Sequence, residues 1–158
     1  VDTSKTGIVE NDGEYYKVDE GKVDTSYTGI WSYNDQQYYL TNGHTDKTMT
    51  GSIKANKTWY YVENGVVANK DTLMQIDDQW YYVHQGKMDK SYTGLVEYNG
   101  QNYYVVNGMV DFSKTGMIHL NGQLCYIKNG VLENSYSNSN LYNGSWYYIH
   151  GDEIRWLK

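Results

Sequence analysis

The sequence predicts an all-β protein, a β-solenoid of about seven stacked β-hairpin repeats of roughly 22 residues each. Three observations carry that expectation. Tyrosine pairs recur at Tyr15-Tyr16, Tyr38-Tyr39, Tyr60-Tyr61, Tyr81-Tyr82, Tyr103-Tyr104 and Tyr147-Tyr148, and Cys125-Tyr126 fills the one gap. Their spacing is 21 to 23 residues. Turn-forming pairs alternate with these short apolar runs, and no apolar residues recur at helical spacing over about ten positions.

Each repeat opens on a glycine such as Gly7, Gly29, Gly51, Gly94 or Gly116. A first strand follows, roughly Thr93 to Tyr98 in the fifth repeat. A tight turn comes next: Asp12-Gly13, Asn99-Gly100, Asn121-Gly122 or Asn143-Gly144. Asn-Gly and Asp-Gly fit a type I′ turn, whose two central residues both need positive φ. The second strand, roughly Gln101 to Val106, holds the tyrosine pair. A second turn stands four or five residues past each pair, as at Glu20-Gly21, Asn42-Gly43 and His150-Gly151. A Val-Asp-x-Ser link then carries the chain onward, its Asp and Ser placed to cap backbone amides by Asx-type turns.

A lone hairpin is barely stable in water, so stacked neighbours must supply most of the stability. The chain therefore reads as one repeat domain over residues 1–158, with approximate repeats 1–22, 23–48, 49–72, 73–92, 93–114, 115–136 and 137–158. Ile154, Trp156 and Leu157 depart from the repeat and are expected to form a capping strand. The chain begins in mid-repeat at Val1-Asp2-Thr3-Ser4, as expected of a piece of a larger secreted protein.

Composition narrows the function. Aromatic residues are 16% of the chain, and only one is Phe, so tyrosine must fill much of the core. The net charge of −6 argues against nucleic acid and anionic membranes as partners. No apolar run is long enough for membrane insertion. The single Cys125 excludes an intramolecular disulfide and reads as inert packing.

Alternate residues of a strand face opposite sides. One side of the second strand holds the first Tyr and the following aliphatic residue, as in Tyr38/Leu40, Tyr60/Val62 and Tyr103/Val105, and is assigned to the interior. In the first repeat that side holds Tyr15 and Lys17, read as fraying at an end. The other side mixes polar residues with a row of second tyrosines and three tryptophans, and is the candidate ligand face. Its members are Tyr39, Trp59, Tyr61, Trp80, Tyr82, Tyr104, Tyr126, Trp146 and Tyr148, joined by Trp31.

Thr58-Trp59-Tyr60-Tyr61-Val62, Gln79-Trp80-Tyr81-Tyr82-Val83 and Ser145-Trp146-Tyr147-Tyr148-Ile149 share one motif. Ser26-Tyr27-Thr28-Gly29-Ile30 and Ser91-Tyr92-Thr93-Gly94-Leu95 share a second. Together they resemble the choline-binding and glucan-binding repeats of Gram-positive surface and secreted proteins. The resemblance covers essentially the whole chain. It implies a non-catalytic β-solenoid that holds a parent protein on a cell wall or polysaccharide, with ligand sites between successive hairpins. The choline-binding version opens its unit with Gly-Trp, one wall of an aromatic cage. Here Gly is followed by Ile8, Ile30, Ser52, Leu95 and Met117, and only Trp31 comes near. A quaternary ammonium needs two or three aromatics around it. A pyranose needs one flat ring plus amides or carboxylates for its hydroxyls, and Gln37, Glu63, Asp78, Gln101 and Asn102 lie nearby in sequence.

Polysaccharide, as α-glucan or cell-wall glycan, is thus the expected ligand. A choline- or teichoic-acid-binding anchor is the alternative, and a ligand-free spacer the competing class. No cofactor is expected. No metal is expected either, because His44, His84, His119 and His150 are widely spaced and no acidic loop has calcium-loop order. Enzyme chemistry is not expected: Asp2, Asp24, Asp89 and Asp111 recur with the link, whereas a catalytic pair should be singular, and Asp77-Asp78 falls at a turn. Side-by-side pairing of two solenoids stays open.

Overall fold

The computed structural model describes residues 2–135, 137–150 and 153–157. Its contacts separate into two compact units, one of Val1–Met74 with Val83–Met88 and one of Gln75–Tyr82 with Asp89–Lys158. The described residues form strands and no helix. In order these are β1 (Gly7–Asn11), β2 (Glu14–Asp19), β3 (Lys22–Val23), β4 (Gly29–Tyr33), β5 (Gln36–Thr41), β6 (His44–Thr45) and β7 (Gly51–Ala55). Next come β8 (Thr58–Glu63), β9 (Val66–Val67), β10 (Thr72–Ile76), β11 (Gln79–His84), β12 (Lys87–Met88), β13 (Gly94–Tyr98) and β14 (Gln101–Val106). The last seven are β15 (Met109–Val110), β16 (Gly116–Leu120), β17 (Gln123–Lys128), β18 (Val131–Leu132), β19 (Ser137–Tyr142), β20 (Ser145–His150) and β21 (Glu153–Leu157). The class is the expected one, all-β and built of hairpin repeats.

The hairpin register sets the core. The opening glycine faces the aliphatic residue after the ring pair: Gly29 opposite Leu40, Gly51 opposite Val62, Gly94 opposite Val105 and Gly116 opposite Ile127. Those four aliphatic side chains are fully buried. Each contributes about 1.5–3 kcal/mol by leaving water. Both central residues of the hairpin turns have positive φ, including Asn34-Asp35, Asn56-Lys57 and Asp77-Asp78, which lack glycine. The turn is therefore type I′ even where its strongest residue signal is missing.

Two features depart from expectation. The second turn does not lead into an open link. It closes a second hairpin onto a two-residue strand, as Leu40 pairs with Thr45 across β5 and β6 and Val62 with Val67 across β8 and β9. That short strand also pairs with the preceding repeat, His44 with Tyr16 and Val66 with Tyr38. The first repeat, moreover, is offset by one residue. Gly7 faces Val18, so Val18 and not Lys17 takes the core position, and Lys17 stands where later repeats place the second Tyr. The 23-residue interval from Tyr15 to Tyr38 is a displaced ring pair, not a longer repeat. Tyr16 is the true equivalent of Tyr38.

The link is built as expected. Asp24 Oδ1 accepts from both the amide and the hydroxyl of Ser26, at 3.1 and 2.5 Å, and the same bonds recur at Asp2, Asp46, Asp89 and Asp111. A threonine adds a second stitch. Thr50 Oγ1 accepts from the Asn64 amide at 3.0 Å and Thr93 Oγ1 from the Asn107 amide at 3.0 Å, which pins the link to its own second turn.

The second-turn glycine ties these pieces together. Gly65 donates its amide to the Met49 carbonyl at 2.9 Å and accepts from the Tyr39 amide of the preceding repeat at 2.8 Å. A Cβ built there would sit 2.4 Å from the Asp46 carbonyl oxygen, at φ +77°. Gly43, Gly86, Gly108 and Gly130 stand equally close to backbone carbonyls. Gly100, at the first turn, has the same φ of +77° and open space around it. Gly65→Ala is therefore expected to cost more than ~3 kcal/mol in urea unfolding, and Gly100→Ala only about 1 kcal/mol. Equal costs would mean that backbone conformation, not close approach, selects the glycine.

The capping carboxylates have a pH signature. Hydrogen bonds from Ser4, Ser26, Thr48 and Ser135 side chains hold Asp2, Asp24, Asp46 and Glu133 below their ordinary values of 3.8 and 4.5. A folded-state value below the unfolded one adds stability that is present at neutral pH and lost as the pH falls through the folded value. The urea midpoint should decline from about pH 5 downward. Ser26→Ala should weaken that decline, and an unchanged acid profile in this variant would contradict the capping role of Ser26.

Candidate ligand-binding grooves

The strand residue after the first ring is Lys17, Tyr39, Tyr61, Tyr82, Tyr104 or Tyr126. In the first five the amide bonds the second-turn glycine carbonyl of the next repeat, as with Tyr61 to Gly86 at 2.9 Å, Tyr82 to Gly108 at 2.8 Å and Tyr104 to Gly130 at 2.7 Å. This hydrogen bonding draws the side chain against the link of the following repeat. Tyr82 packs on Tyr92 with ring centroids 4.2 Å apart and planes tilted by 32°. Lys70 Nζ lies 5.2 Å from the Tyr61 ring centre. Lys17 Nζ lies 5.3 Å from Tyr27. One position pair thus uses ring on ring, ring under cation, and cation over ring.

The expected open row of second tyrosines is consequently interrupted. Tyr82 is 6% exposed and Tyr126 is 9% exposed. Tyr126 belongs to a core cluster with Met117 and Ile149. Tyr39, Tyr61 and Tyr104 are half-buried. The interior assignment holds for the aliphatic residues but is incomplete for the rings, because both sides of the second strand pack against neighbouring repeats. Of the candidate ligand-face residues, only Trp146, at 53%, and Tyr148, at 39%, are openly exposed. Trp146 lies in register between Leu141 and Leu157. Tyr148 meets Ser137 Oγ through its hydroxyl at 3.2 Å.

Trp31, Trp59 and Trp80 are half-buried, and Trp156 on β21 is 60% exposed. Trp80 packs on Tyr98 at 5.1 Å. Trp59 lies under the Lys54 ammonium at 5.9 Å, its cross-strand partner. Trp31 meets the Tyr27 ring edge-on at 5.5 Å. β21 pairs with β20 as the expected capping strand, and its Ile154 packs on the Met117–Tyr126–Ile149 cluster. The glycine of the expected His150-Gly151 turn lies outside the described residues.

Open concave space lies between hairpins. In the first unit a groove of about 360 Å³ runs along Ile30 and Tyr39 on one hairpin and Ser52, Lys54 and Asn56 on the next. A second of about 320 Å³ touches Tyr15, Tyr38 and Lys47. In the second unit a groove of about 920 Å³ is walled by Leu124, Tyr142 and Tyr147, with His119, Gln123 and Asn143 along it. The two tyrosine rings meet edge to face there at 67°, with centroids 6.5 Å apart. Of the sequence-derived candidates, only Tyr39 lines one of these grooves. Tyr147, Tyr142 and His119 were not singled out, because a hairpin register one repeat away decides which rings border a groove. The hydrophobic side of Tyr147 was legible, but its neighbours were not.

Burial raises the Cys125 thiol above its ordinary 9.0, keeping it protonated at neutral pH. His84 Nδ1 and Asp71 Oδ1 lie 2.9 Å apart. No group of three His, Cys, Asp or Glu among the described residues could hold a metal ion. No described helix is long and apolar enough to cross a membrane.

Fold and grooves define a hairpin-repeat protein with its concave surfaces between repeats. The family profile described as choline-binding repeat matches residues 4–24, 48–68, 71–89 and 91–111, more than half of the chain. The chain belongs to the choline-binding repeat family. Among solved structures, CbpJ from Streptococcus pneumoniae TIGR4 aligns at TM-score 0.38 and 22% identity, over 95% of this chain and 52% of that one. Choline binding protein F from Streptococcus pneumoniae, in the presence of a peptidoglycan analogue, aligns at TM-score 0.38 and 23% identity, over 96% and 52%. Alternansucrase in complex with isomaltotriose aligns at TM-score 0.45 and 17% identity, over 95% and 12%. The chain spans about half the length of the first two. No curated protein sequence matches significantly.

One ring pair gives a spectroscopic check. A hydrogen bond with Tyr15 is the largest cause that pushes Tyr38 from 10.0 up to about 12, with burial second. The raised value adds stability that is complete below pH 10.0 and is lost as the pH climbs toward about 12. Alkaline absorbance titration should show this tyrosine ionising late, toward about 12, and Tyr15→Phe should return it toward 10.0. A Tyr38 indifferent to Tyr15→Phe would contradict the pairing.

Proposed function

We propose that the chain is a non-catalytic, extracellular binding module that attaches a parent protein to a polysaccharide, α-glucan or cell-wall glycan. The observation that carries this reading is the groove of Leu124, Tyr142 and Tyr147 with His119, Gln123 and Asn143. Its rings offer flat faces to the C–H side of a pyranose. Its amides and imidazole can donate to and accept from sugar hydroxyls. The groove of Ile30, Tyr39, Ser52, Lys54 and Asn56 likewise sets a ring beside an amide and a hydroxyl, with an ammonium in place of the imidazole. Several weak sites on one chain hold a polymer by avidity.

The family match favours a second reading, a choline- or teichoic-acid-binding wall anchor. Against it stands the use of aromatic faces by the chain's own lysines. Lys17, Lys54, Lys70 and Lys87 each lie within 6 Å of a ring centre, the range in which an external ammonium would have to compete.

Affinity electrophoresis in gels containing starch, dextran or purified cell wall separates the readings. The glycan reading expects retardation in at least one gel, reduced about tenfold in apparent affinity by a combined His119→Ala and Asn143→Ala change. Unchanged mobility in all three overturns it and leaves a spacer. Retardation in cell wall alone, abolished by free choline, supports the second reading.

A further inference from the structure

We propose that Tyr27, Trp31 and Asp24 form a cation site whose occupant is the chain's own Lys17, so that Lys17 excludes free alkylammonium ligands from this step. The inference does not depend on the glycan reading. The two rings make a corner, edge to face at 81° with centroids 5.5 Å apart. Lys17 Nζ sits inside it, 5.3 Å from the Tyr27 centre and 5.4 Å from the Trp31 centre. Asp24 Oδ2 closes the third side at 3.0 Å. The Lys17 side chain is only 16% exposed.

Two rings and a carboxylate around one nitrogen are the elements that bind a small organic cation. Here the cation is covalently supplied, so no association entropy is lost on filling the site. The offset of the first repeat makes this possible. It places a lysine where the later repeats have Tyr39, Tyr61, Tyr82, Tyr104 and Tyr126, and a ring there would fill the corner with carbon.

The walls do not need the lysine to stand. The Tyr27 hydroxyl donates to the Ile30 carbonyl at 2.8 Å and fixes its ring. Ser26 holds the other oxygen of Asp24 through amide and hydroxyl. Trp31 is set by strand pairing opposite Tyr38. The Lys17 backbone keeps its bonds to Gly43 and Asp24 whatever its side chain. Shortening Lys17 should therefore leave an empty cage with a preset carboxylate.

The test titrates the full chain with tetramethylammonium chloride, against sodium chloride, following tryptophan fluorescence. Lys17→Ala should show a saturable change with Kd on the order of millimolar, while the unaltered chain shows none. Lys17→Met, which refills the space without charge, should also show none, as should Lys17→Ala combined with Trp31→Ala. A folded Lys17→Ala variant that does not respond, or an unaltered chain that responds equally, overturns the proposal. Should Lys17→Ala not fold, amine acetylation followed by mass spectrometry decides on the unaltered chain. Lys17 should then react about tenfold more slowly than the exposed Lys47, and Trp31→Ala should remove that protection. Equal rates for the two lysines in the unaltered chain overturn the proposal.

Discussion

The close approach of the second-turn glycine to the link carbonyl is the constraint on which the repeat depends. At Gly65 one residue joins three segments: its amide holds the link at Met49, its carbonyl holds the previous repeat at Tyr39, and its missing Cβ admits the Asp46 carbonyl. The contact also explains why the second turn keeps its glycine wherever it is described. The first turn replaces glycine by Asp35, Lys57 and Asp78. Positive φ alone is tolerable for Asn, Asp and even Lys at some cost, whereas a backbone oxygen at 2.4 Å from a Cβ is not.

That backbone contact decides the fate of the aromatic residues. The residue that donates to the glycine carbonyl is drawn under the next link, so its ring joins the packing between repeats. The position accepts any pair that fills the space and satisfies charge: Lys17 with Tyr27, Tyr61 with Lys70, Tyr82 with Tyr92. With one side of these rings covered, open space lies in the concavities between hairpins, where Tyr39 in one unit and Tyr142 with Tyr147 in the other stand beside amides, hydroxyls and an imidazole. This chain thus spends many of its aromatics on holding itself together.

Much of this was legible in the residues. The period gave the repeat, paired turn residues gave the hairpins, and Asp-x-Ser gave the capped link, because each depends on neighbours close in sequence. The short third strand was not legible, since two residues such as His44-Thr45 carry no alternation pattern of their own. The offset of the first repeat was hidden because Tyr15-Tyr16 looks like every other pair, and only the facing of Gly7 and Val18 shows which ring is which. Burial of Tyr82 and Tyr126 was missed for a related reason. Alternation tells one side of a strand from the other, but in stacked hairpins both sides meet protein, and the layer beyond is about 22 residues away in the chain.

The central claim is that recognition occurs in the grooves between hairpins and reads sugar rings. A crystal of the chain soaked with a maltooligosaccharide or a wall glycan fragment tests it most directly. The account predicts a pyranose against Tyr142 or Tyr147 with its hydroxyls on His119, Gln123 or Asn143. Sugar bound instead on the outer face of Trp146 and Tyr148, with that groove empty, would contradict it.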